Sequence, residues 1–197
     1  MIFLQLNYSD NKPKIDGWKV INQDGKDIKF ITEDSLINTI KREDKLIPLK
    51  LELSETINID DSWGSLSLFE KYKKITYITN CSYSIDLTLL TKSDLSINKK
   101  TNSVSIKIPK PEIEHISIDN DKTLYEETVT GLLRFGDINL TPEEYGLIKG
   151  KIIKDLSYKM LEEELYTQAC HNAKDSVESL LKSILGENIK TKIEFLS

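Results

Sequence analysis

Two apolar periods divide this chain. From residue 47 to 89 the apolar side chains favour odd positions, and from 104 to 108 they alternate on even ones. They are Ile47, Leu49, Leu51, Leu53, Ile57 and Ile59, then Ile75, Tyr77, Cys81, Tyr83, Ile85, Leu87 and Leu89, then Val104, Ile106 and Ile108. Lys50, Glu52, Ser54, Thr56 and Asn58 fill the even positions of the first run. Such alternation predicts strands with one face in a core and one in water. The stretch 60–70, with Trp63-Gly64, reads as a loop, and 98–102 as a polar turn. Pro109 and Pro111 close the third run, because proline has no N–H to give a central ladder. Ile113, Ile116 and Ile118 predict one more short strand. Strands this close in sequence pair most economically as antiparallel neighbours.

Upstream, residues 18–21 and 28–31 flank Asp24-Gly25, a hairpin signal. Thr32 or Asp34 is placed to cap a short helix carrying Leu36, Ile37 and Ile40. Residues 1–45 are read as an N-terminal strand and helix module, and 46–197 as an α+β domain.

The second period begins at Leu140. Thr141 is an N-cap residue, Pro142 stands at the first helical position, and Glu144 completes a capping box. Leu140 and Tyr145 are spaced as a hydrophobic staple. Tyr145, Ile148, Ile152, Leu156, Met160, Leu161, Leu165, Ala169, Ala173, Val177, Leu180, Leu181 and Ile184 then recur mostly at three- and four-residue steps. That is one helical stripe. Gly186 is a natural stop, and 189–196 reads as a last strand. A straight helix over this span would run about 65 Å, against a radius of gyration of about 16 Å for a compact chain of this length. An interruption is therefore expected between about Leu156 and Leu165. The fold class predicted is α+β: an antiparallel-rich sheet, a long C-terminal helical segment packed on one face, and a final C-terminal strand.

Composition narrows the function classes. The 197 residues are 39% hydrophobic and 30% charged, with 27 basic against 32 acidic side chains. Opposite charges are interspersed, so the basic stripe of a nucleic-acid binder is missing, and no nucleic-acid partner is expected. No stretch approaches the ~20 apolar residues that span a bilayer. As written, the chain reads as cytoplasmic; an anchor lost upstream would make it extracytoplasmic. Cys81 and Cys170 lie in no metal-like spacing and are read as free thiols, with a disulfide between them left open.

Candidate chemistry is sparse. His115 and His171 are the two histidines, and adjacent Cys170 and His171 diverge by about 100° on a helix, which argues against a Cys–His nucleophile. Glu162, Glu163 and Glu164 fan round the helix axis, and Lys149, Lys151, Lys154 and Lys159 are read as solvated surface. No clustered metal ligands, Walker loop, dinucleotide fingerprint or nucleophile elbow occurs, so no cofactor and no metal is expected. One stretch stands out. In 131–136 three large apolar residues and one of only two arginines sit between glycines: Leu132, Leu133, Arg134 and Phe135. Loops are ordinarily polar, and arginine and aromatics dominate interface hot spots. These four are the candidate binding residues. The alternative is that Leu133 and Phe135 plug a sheet–helix junction.

Several segments resemble a known family. They are the strand 75–89 with Ser84-Ile85-Asp86-Leu87, the run 104–113 closing on Pro109 and Pro111, the loop 135–145 into a proline-started helix, and the closing 169–181 and 189–195. Over roughly residues 46–197 they resemble the bacterial domain of unknown function numbered 4230. The resemblance implies a mixed α+β domain, often carried on a single N-terminal transmembrane helix. This chain departs from that pattern, since 1–45 is polar, and Glu164 stands near a position where the family tends to have glycine. The family motifs are structural and imply no activity.

The function expected is thus a non-catalytic binding or assembly module, acting on a protein partner or by self-association. A hydrolase-type enzyme using His115 or His171 in a pocket is the first alternative. A membrane-surface or envelope-associated module is the second.

Overall fold

The computed structural model describes residues 32–196 and the backbone of two short strands before them, β1 (Lys19–Ile21) and β2 (Asp27–Lys29). These two pair antiparallel, Lys19 opposite Lys29, as the hairpin signal predicted, although the Asp24-Gly25 turn, Trp18 and the end of the second run lie outside the described residues.

The chain then divides into two compact units, each assembled from separate stretches. The first takes the described residues up to Leu49, then Tyr83–Glu112, then Tyr166 onward. Its helix α1 (Glu33–Lys41) starts as expected at Thr32, whose hydroxyl accepts the Ser35 N–H while the Ser35 hydroxyl accepts the Thr32 N–H. Leu36, Ile37 and Ile40 are buried on one face. A three-stranded sheet follows in the order β5 (Leu95–Asn98), β6 (Ser103–Ile108), β9 (Lys190–Phe195). Strands β5 and β6 form an antiparallel hairpin. The last strand runs parallel to β6, from Ser103 opposite Lys190 to Ile108 opposite Phe195, a direction that the alternation of its residues left open. The long helical passage between the two strands permits this, since a parallel pair needs a crossover. Helix α3 (Glu163–Leu185) lays Ala173, Val177 and Leu181 onto Val104, Ile106 and Ile108 in one core with Leu36, Ile40, Ile85 and Leu87.

The second unit comprises Lys50–Ser82 and Ile113–Leu165. It is built on strands β3 (Lys45–Asp60), β4 (Lys71–Asp86) and β7 (Glu112–Tyr125), with β8 (Val129–Thr130) also paired to β4. The Thr56 and Thr76 hydroxyls meet at 2.9 Å, and nearer the loop the Asp61 N–H donates to the Lys71 carbonyl. These pairs converge as an antiparallel hairpin must. Helix α2 (Pro142–Met160) packs Ile152 and Leu156 on Ile75 and Tyr77, with Leu53, Ile57, Ile116 and Ile118 alongside. The predicted cap is present in full: Thr141 accepts the Glu144 N–H at 3.2 Å and Glu144 accepts the Thr141 N–H at 2.7 Å. Leu140 and Tyr145 both pack on the same core.

The helical segment does break, at Leu161 and Glu162, inside the window the length argument set. Leu161, counted in the apolar stripe, is exposed because it caps α2 there. Three other expectations shift. The alternation in β3 starts at Leu49 rather than Ile47, which is exposed, while Pro48 is buried. Strand β4 ends at Asp86, whose carboxylate accepts the Thr88 N–H and turns the chain, so Leu89 is exposed. The short strand expected near Ile113 extends through 14 residues as β7. The α+β class holds, with the strands divided among separate sheets rather than one.

Candidate functional site

In the second unit, the loop that follows β3 and the loop that follows β8 interlock. The Gly131 N–H donates to the Glu70 carbonyl at 2.7 Å and the Leu133 N–H to the Leu68 carbonyl at 2.9 Å. The Trp63 N–H reaches the Phe69 carbonyl at 3.0 Å, folding the first loop back on itself. Only glycine fits at 131: a Cβ there would stand 2.7 Å from the Leu68 carbonyl oxygen and nearer still to that of Ser67.

Beneath the loops lies an ionic cluster. Arg134, 6% exposed, donates from Nη2 to Asp61 Oδ2 at 2.6 Å, and Lys71, also buried, reaches the same oxygen at 3.3 Å. The Trp63 ring covers the guanidinium, with Cζ 4.0 Å from the ring centroid, a cation–π contact. Arg134 Nη1 is buried without a hydrogen-bond partner. Two cations on one carboxylate leave this cluster with an excess positive charge in a partly desolvated place. Asp61 thereby ties the loop after β3 to the loop after β8.

The four predicted residues therefore divide. Arg134 is turned inward, while Leu132 is 75% and Phe135 82% exposed, and Leu133 is half exposed. The junction-plug alternative for Leu133 and Phe135 is overturned: the Gly131 crossing and the buried arginine pin the backbone, so the flanking side chains point to solvent. Sequence reasoning missed Trp63, Leu66 and Leu68, all exposed and joined to the same loops. Their signal was present, since 63–69 holds four large apolar residues in a segment read as a loop. Single exposed apolar residues are ordinary, whereas these stand together on two interlocked loops.

Beside the tip runs an open groove of about 440 Å³ lined by Lys73, Tyr125, Glu126, Glu127, Thr128 and Asp137, among others. The Thr128 hydroxyl and Lys73 Nζ both donate to Asp137, as does the Ile138 N–H, and together they hold its carboxyl down to about 2. A carboxylate so fixed is a structural clamp and a poor proton carrier near neutrality.

A family model described as Protein of unknown function (DUF4230) matches residues 38–191. The chain belongs to this family. No curated protein and no solved structure matches it.

Elsewhere in this DUF4230 chain the candidate acid–base groups are dispersed. His115 is exposed on β7 and His171 on α3, in different units. His171 pairs with Asp175 at 3.4 Å, and Cys170 bonds to Tyr166 rather than to a histidine. Both cysteines are free. Burial pushes both thiols up, away from the thiolate a nucleophile needs. Glu162, Glu163 and Glu164 are exposed. Among the described residues no three His, Cys, Asp or Glu gather as metal ligands, and no helix is long and apolar enough to cross a membrane.

Proposed function

We propose that this domain is a non-catalytic binding module that docks a protein surface on the loop tip of its second unit. The observation that carries this reading is the display of Phe135, Leu132, Leu133 and Trp63 on two loops locked by Gly131 and by Arg134–Asp61. The loops are ordered before any partner arrives, so docking would cost little further conformational entropy. Trp63 is a residue type that dominates interface energetics, and Arg134 supports its ring from beneath.

The hydrolase alternative gains no support, because both histidines stand on open surface. The membrane alternative gains little: segments 60–74 and 125–137 carry six carboxylates against four cations, a poor match for anionic lipid. A photo-crosslinking residue placed at 135 in the producing cell tests the reading. Discrete protein adducts are expected from position 135 and none from exposed position 187. No adduct at 135, or the same diffuse set at both, overturns it.

A further inference from the structure

Among the described residues, helix α2 has a second face on which nothing packs. Ile152, Leu156 and Met160 are buried on one side. On the opposite side Leu147, Lys151, Lys154, Tyr158 and Leu161 follow the spacing i, i+4, i+7, i+11, i+14, which a 3.6-residue turn places in one stripe. Leu147, Tyr158 and Leu161 are strongly exposed. Lys154 lies 6.0 Å over the Tyr158 ring, and Lys151 is paired with Asp155.

Two glycines sharpen the point. Gly146 and Gly150 stand one turn apart beside Leu147, and a Cβ at either would meet nothing within 4 Å. Each costs the helix about 0.5–1 kcal/mol relative to alanine, and no packing inside the domain requires it. What they provide is a shallow, bare stretch of backbone that large side chains can approach.

The charges of the two surfaces are opposite in sign. Residues 146–161 hold four lysines against Asp155 alone, whereas the tip segments carry an excess of two carboxylates. At the tip, moreover, Lys71 and Arg134 are buried and committed to Asp61. Two tips brought together would oppose like charges, and so would two α2 faces. A tip against an α2 stripe matches apolar to apolar and acidic to basic.

We infer that the loop tip docks on the outer face of α2 of a second copy of this chain, in a head-to-tail contact. This rests on the binding reading above and names its partner. Because each copy presents one surface of each kind, the contact is heterologous: it extends or closes as a ring rather than stopping at a symmetric pair.

Sedimentation velocity of the full chain tests this, with circular dichroism to confirm that each variant is folded. Wild type should self-associate with rising concentration, and added salt should weaken it. Three variants should each associate roughly 100-fold more weakly or not at all, as loss of a hot-spot contact predicts. They are Leu132→Ser/Phe135→Ser at the tip, Lys151→Glu/Lys154→Glu on α2, and Gly150→Trp, which fills the bare stretch without changing charge. An equimolar mixture of the tip variant and the Lys151→Glu/Lys154→Glu variant should regain a heterodimer and stop there, since one intact surface of each kind remains. If both α2 variants assemble like wild type while the tip variant does not, the α2 stripe is not the occupant and the tip reading stands. A wild type that stays monomeric throughout overturns the head-to-tail contact, and adducts from position 135 to a different protein would then keep the tip reading alone.

Discussion

A methyl group added at Gly131 would collide with the carbonyls of Ser67 and Leu68, so this one position controls how two loops lie together. Gly131→Ala is expected to lower stability by about 1–3 kcal/mol, the cost of forcing atoms into a packed place, and to loosen Leu132 and Phe135. Urea unfolding and backbone NMR of the tip would show both effects; an unchanged midpoint would mean the loops have room to part. Asp137 makes a different prediction. Its carboxyl titrates near 2 when folded against an ordinary 3.8, through Thr128, Lys73 and the Ile138 N–H. A lowered pKa favours the folded state above about pH 4, and that contribution is lost as pH falls toward 2. The stability gap between wild type and Asp137→Asn should therefore narrow from pH 5 to pH 2. A gap of constant size would place the interaction elsewhere. At this scale sequence was informative about Arg134 and misleading about its direction. An arginine between a leucine and a phenylalanine reads as a surface anchor, whereas two partners distant in sequence, Asp61 and Trp63, draw it beneath the loops.

Helix α2 owes its start to local chemistry. Thr141→Ala removes the oxygen that accepts the Glu144 N–H and should cost about 1 kcal/mol. Gly146→Ala and Gly150→Ala should each stabilise the isolated chain by about 0.5–1 kcal/mol, because open space surrounds both positions. Thermal unfolding of dilute protein measures all three, and destabilisation by either alanine would reveal an internal contact. The caps of α1 and α2 were legible in the sequence because they depend on residues three positions apart. Strand β7 was less so. Residues 119–122 read Asp-Asn-Asp-Lys, a turn-like sequence, yet the chain stays extended there because pairing with β4 continues to the Glu126 N–H on the Lys74 carbonyl. The parallel placing of β9 was also hidden, since alternation reports which face is wet and not which neighbour a strand meets.

Each compact unit is gathered from stretches that the other interrupts, so no single cut of the chain isolates either. A fragment spanning 50–165 contains every part of the second unit but also β5 and β6 without α1, α3 and β9. It should expose Val104, Ile106 and Ile108 and bind a hydrophobic dye, which the whole chain does not. A dye-negative fragment would show that β5 and β6 need no cover. The interrupted assembly is also why the tip was only half legible. Its first loop and its second are separated by β4 and everything through β8, and only folding brings Trp63 beside Arg134.

The parallel pairing of β6 with β9 has a consequence for synthesis. Strand β6 ends at Ile108 and its partner begins at Lys190, roughly 80 residues later. At about 5–20 residues per second, a ribosome leaves β6 with one bare edge for roughly 4–16 s. Throughout that interval the buried face of α3, which covers Ile106 and Ile108, is also still being made. The nascent chain therefore carries an open, apolar strand edge for much of its birth, and the first unit closes only when the last strand has left the exit tunnel.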